Sequence, residues 1–172
     1  FVRSIDVIRN EALITQFETL LKIKEDELNT NPAFFRKREA EVVGDDEQKR
    51  AVIERAKAYR QSSAILLNED CDGPVSMYVT LHGCEKEAVD SICAHGAKDF
   101  RGRDAGYAGA GIYTTIQAEY AAMYSEGVII LCCCVASNIY PISRSMDYEK
   151  PYDSVYYYGD GDWAQHKKYN YN

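Results

Sequence analysis

Apolar residues recur at helical spacing directly after Asn10. Leu13, Phe17, Leu20, Leu21 and Leu28 fall on one face of a predicted helix, for which Asn10 is a suitable N-cap. Asn29-Thr30-Asn31-Pro32 closes it, because proline cannot supply the next N–H. A second helix is expected over about 46–60, with acids leading, bases ending, and Val52, Ala56 and Tyr59 as its apolar face. From Val75 the period changes. Residues 75–81 alternate and are rich in β-formers, which predicts a strand ending at His82-Gly83. A short helix follows over 85–95, with Val89, Ile92 and Cys93 inward and Gly96 as its stop. Residues 97–111 are glycine-rich loop, 112–114 a short strand, and 117–125 a helix halted by Gly127. The unbroken apolar run 128–136 predicts a buried central strand. From Asn138 the chain is loop-rich, with one further strand at 155–158. Helices first and strands later make the class α+β, not doubly wound α/β.

Length and composition narrow the picture. The chain has 172 residues, 46% apolar and 27% charged, which fits one domain (1–172) with a real core and excludes a wholly disordered chain. Net charge is −7 and there is no basic tract, so nucleic acid is an unfavourable partner. No run approaches the roughly 20 apolar residues of a membrane helix, so no membrane partner is expected. Phe1 in place of an initiating methionine leads us to expect an excised domain, a processed form or a part of something longer. Six cysteines include no C-x-x-C pair, and Cys132, Cys133 and Cys134 are consecutive. That spacing makes a poor disulfide framework and a poor zinc site, so we expect free thiols, no metal, and an intracellular (cytoplasmic or nuclear) location. Tyrosine is in excess, at 14 against 5 Phe and 1 Trp, and twelve of the tyrosines lie from Tyr107 onward.

Single motifs are weak. Gly106-Tyr107-Ala108-Gly109-Ala110-Gly111 is not G-x-G-x-x-G and reads as a loop. His82, taken alone, reads as a structural histidine, and Tyr113 and Tyr124 read equally as core aromatics or as ligand-facing rings. Their order carries more. Leu81-His82-Gly83, then 88–96, then Gly109-Ala110-Gly111-Ile112-Tyr113, then Tyr120-Ala121-Ala122-Met123-Tyr124, then 128–135 together resemble the catalytic domain of the poly(ADP-ribose) polymerase superfamily, in its mono-ADP-ribosyltransferase branch. Ile8-Arg9-Asn10 and Tyr152-Asp153-Ser154-Val155 extend the resemblance over most of the chain, and 29–70 is a longer, more charged insertion than that family carries.

The resemblance implies the ADP-ribosyltransferase fold, an antiparallel-rich split sheet with flanking helices, and NAD as co-substrate. It implies that His82 bonds the adenosine-side ribose. It gives the Gly83 backbone the nicotinamide carboxamide, and Tyr113 and Tyr124 the two sides of the ring. Reaction would be glycosyl transfer to a protein or other acceptor, with cleavage of the nicotinamide–ribose bond through an oxocarbenium-like state. The chain also departs from the pattern. Ala121 stands where the family places a serine, Cys84 replaces a small hydroxyl residue, and Thr114 replaces a phenylalanine. The last glutamate, Glu149, precedes the Tyr152-Asp153-Ser154-Val155 segment, and only Asp160 and Asp162 are acidic from Tyr156 onward. The final strand that would carry the family's glutamate is therefore missing from this sequence or lacks that residue. These departures argue against polymer elongation. They leave a second reading, a catalytically inactive member of the fold that binds ADP-ribose, NAD or a protein partner.

Overall fold

The computed structural model describes residues 2–30, 46–67, 75–97, 112–136, 139–142 and 154–157. The glycine-rich loop at 106–111, Cys71, residues 31–45 and 68–70 of the charged 29–70 stretch, residues 143–153 and the tail from 158 lie outside the described residues. The described elements are α1 (Glu11–Thr30), α2 (Glu47–Leu67), β1 (Ser76–Gly83), α3 (Lys86–His95), α4 (Ala118–Ala122), β2 (Ile129–Ala136), β3 (Ile139–Ile142) and β4 (Ser154–Tyr157). The arrangement is mixed α+β. β1 and β2 pair antiparallel, from Ser76 opposite Ala136 to Gly83 opposite Ile129. β3 and β4 pair parallel. β3 falls in a stretch read as loop, because four residues containing a proline give too short a period to recognise. No helix among the described residues is long and apolar enough to cross a membrane.

Asn10 does cap α1, accepting from the Leu13 N–H at 3.2 Å. The same side chain donates to the carbonyls of Cys93 at 3.1 Å and Ala94 at 2.9 Å. One amide thus satisfies orphan groups at the start of α1 and at the end of α3. Gly96 turns the chain out of α3 at φ 77°, a left-handed value that glycine adopts without strain, and its N–H bonds the Ile92 carbonyl at 2.8 Å. No residue of α1 is buried, so its apolar stripe is only half covered.

α2 is longer than the charge pattern alone predicts, running to Leu67. Its extra turns carry Ser63 and Ala64, which join Val52, Ile53 and Ala56 as buried positions. Those turns exist because they meet β1. The Ser63 hydroxyl accepts from the Val79 N–H at 3.1 Å, and the Tyr59 hydroxyl donates to the Val79 carbonyl. The Tyr59 and Tyr78 rings stack, with centroids 6.2 Å apart.

The predicted buried central strand at 128–136 is not what forms. β2 pairs only with β1 among the described residues, and its side chains alternate. Tyr78, Thr80 and His82 share one face with Ile130, Cys132 and Cys134, and Tyr78, Thr80 and Ile130 are buried there. On the opposite face Leu131 is 69% exposed. An unbroken apolar run cannot signal this one-sidedness, because both faces read alike. Cysteines 84, 93, 132, 133 and 134 are free. Burial, with the neighbouring thiols of Cys134, Cys84, Cys133 and Cys93 adding to it, pushes the Cys132 thiol up to about 11.

Two outcomes follow for the fold. Ser63→Ala should leave the Val79 N–H without its acceptor and lower unfolding free energy by about 1–3 kcal/mol in urea titration, whereas exposed Ser62→Ala should change it by less than about 0.5 kcal/mol. Iodoacetamide at pH 8 should label exposed Cys133 well before Cys132. Because folded Cys132 keeps its proton to about 11 and an ordinary thiol releases it near 9.0, stability should fall as pH rises through that interval.

Candidate functional site

β1 presents its backbone groups alternately to its two sides. The Leu81 N–H and C=O bond Thr115, at 2.7 and 2.9 Å, on the side away from β2. By the two-residue period of a strand, Val79 and Gly83 present their amides to that same outer edge, while His82 and Thr80 pair with β2. Val79 is satisfied by α2, as above. Leu81 is satisfied by the 112–116 segment. Gly83 comes next in the row.

The pairing with that segment is a single bridge, Leu81 with Thr115. An antiparallel ladder continued past it would set Tyr113 opposite Gly83. It does not continue. The Tyr113 carbonyl instead meets the His82 ring at Nδ1, 2.8 Å away. The strand expected at 112–114 does not form; the segment bridges β1 only through Thr115. Among the described residues, the Gly83 N–H and C=O therefore have no backbone partner on the outer edge.

The Tyr113 carbonyl can only accept, so His82 Nδ1 carries a proton. In the neutral ring Nε2 is then an acceptor, held in place by the tether.

α4 is packed directly onto Gly83. A Cβ built there would lie 1.9 Å from the Ala121 carbonyl oxygen and 3.3 Å from the Tyr124 carbonyl carbon. Only glycine permits that approach. α4 is shorter than the predicted 117–125 helix. After Ala122 it tightens into three-residue turns, with Met123, Tyr124 and Ser125 N–H groups bonding the carbonyls of Tyr120, Ala121 and Ala122. Ala121 is 2% exposed, whereas Tyr113 and Tyr124 are 41% and 56% exposed. Of the two readings of these rings, plain core packing does not fit that exposure.

The five sequence-derived positions thus converge through contacts of neighbouring atoms: His82 with Tyr113, Gly83 with Ala121 and Tyr124. Direct contact between the Tyr113 and Tyr124 rings is not among those contacts. Cys84, next to Gly83, is buried, and burial followed by Cys93 and Glu85 raises its thiol above the ordinary range. Two contributors escaped the sequence. Thr115 acts through backbone alone, which no residue type signals. Tyr120 bonds the Tyr124 phenol at 3.2 Å, and its i,i+4 spacing from Tyr124 was the available clue. Among the described residues no group of three His, Cys, Asp or Glu side chains is placed to hold a metal ion.

No family model, curated protein or solved structure matches the chain.

Gly83→Ala should force α4 off β1. We expect a loss of about 1–3 kcal/mol in urea unfolding, from overpacking against backbone that cannot rotate away. An unchanged midpoint would mean that α4 does not rest on Gly83.

Proposed function

We propose that this domain binds NAD by its nicotinamide end and transfers ADP-ribose singly to a protein or other acceptor, releasing nicotinamide. The observation that carries the reading is the Gly83 amide pair. It faces an edge from which the neighbouring segment has turned away, beside the helix turn bearing Tyr124. A primary carboxamide is the complement of that pair, since its oxygen accepts from an N–H while its NH2 donates to a C=O. Binding would complete the strand edge and satisfy two backbone groups at once.

The remaining residues fit this ligand. His82 Nε2 is an acceptor of fixed orientation, suited to a ribose hydroxyl. Tyr113 and Tyr124 supply exposed aromatic surface for a flat heteroaromatic ring. NAD as co-substrate supplies the bond that breaks, with the electron pair leaving on nicotinamide and the acceptor taking the ribose carbon. The chain's own contribution is to hold the leaving group and the ribose in register for that displacement.

A specific observation favours the non-catalytic reading as the alternative. Ala121, at the point of closest approach, has no hydroxyl to give the carboxamide a further bond, a loss worth about 0.5–1.5 kcal/mol. A domain that keeps the cradle but not this bond would suit binding of NAD or ADP-ribose without turnover.

Calorimetry with NAD, followed by nicotinamide release and labelling from tagged NAD, separates the two. The proposal expects saturable binding and turnover, each reduced at least about 10-fold by His82→Ala and Tyr113→Ala. Binding without turnover supports the alternative, and absence of both, with no binding of ADP-ribose in the same titration, removes both nucleotide readings.

A further inference from the structure

We propose that Tyr120 is a positioning residue that sets the Tyr124 ring in a single orientation before any ligand arrives. The role of that ring toward a nicotinamide rests on the function proposed above; its orientation by Tyr120 does not.

Tyr120 and Tyr124 stand four residues apart across the turn that ends α4, so their side chains lie on the same side of it. Their rings meet edge to face, with centroids 5.3 Å apart and planes at 63°. Their hydroxyls are 3.2 Å apart, within hydrogen-bonding distance. The two contacts act on different parts of the side chain. The edge-to-face contact limits the swing of the ring, and the phenol–phenol bond holds its tip. This matters because Tyr124 is 56% exposed, and an exposed tyrosine without such a brace samples several rotamers. The backbone of Tyr124 is already fixed against Gly83. With Tyr120 in place, the side chain is fixed as well. A ligand ring then meets a prepared surface and does not have to order it, so binding loses less to entropy.

Aromatic NMR on the full chain tests the orientation without any ligand. The wild type should show Tyr124 in one χ1 rotamer, with cross-relaxation to Tyr120. Tyr120→Phe should retain the rotamer with broader resonances, and Tyr120→Ala should average it. Averaging already present in the wild type, or a single rotamer surviving Tyr120→Ala, would overturn the proposal. NAD titration then reads the consequence. Tyr120→Phe should raise Kd about 2- to 12-fold, and Tyr120→Phe/Tyr124→Phe should be no weaker than Tyr124→Phe alone. Additive losses would overturn the proposal. A wild type that orders Tyr124 through Tyr120 yet binds no NAD supports the positioning role and removes the nicotinamide reading instead.

Discussion

The outer edge of β1 is the constraint on which the rest depends. A two-stranded sheet leaves one side of each strand unpaired, and an unpaired row of amides must find partners or remain in water. Here the row is satisfied residue by residue, from different sources. Val79 takes two side chains of α2, and Leu81 takes the backbone of Thr115. Gly83 takes neither. The helix that feeds the edge, the segment that bridges it and the turn that closes over its end are all located by this sequence of demands.

His82 stands where the bridging stops. Its ring binds the Tyr113 carbonyl, and beyond Thr115 the segment makes no further bridge to β1 among the described residues. The same bond orients the imidazole beside the strand edge. Glycine at 83 has a steric reason to be there: it admits the α4 backbone within a distance that any Cβ would forbid.

The thiols belong to packing. Cys132 and Cys134 share the buried face of β1 and β2 with Tyr78 and Thr80, and Thr80 Oγ1 lies 3.2 Å from Cys134 Sγ. Burial keeps Cys132 protonated well above neutral pH. Asn10 performs a comparable service for the helices, capping α1 while tying it to the end of α3. Neither group takes part in the chemistry proposed for the edge.

Local signals made several elements legible from the sequence. Asn10 with its periodic leucines announced α1, alternation announced β1, and Gly96 announced the end of α3, because caps, period and positive φ are set by neighbouring residues. The order of His82, Gly83, Tyr113, Ala121 and Tyr124 singled out the candidate site before any coordinates. What neighbours cannot specify was decided by tertiary contact. α2 gained seven residues beyond Arg60 because Ser63 found the Val79 amide. The strand expected at 112–114 gave way to a single bridge at Thr115, with the Tyr113 carbonyl on the ring of a histidine distant in sequence. β2 became one-sided, although its unbroken apolar run reads alike on both faces. Sequence named the residues of the proposed site. Only the fold turned the Gly83 amide toward an open edge, because the direction of a backbone group depends on which strands its neighbours have already paired.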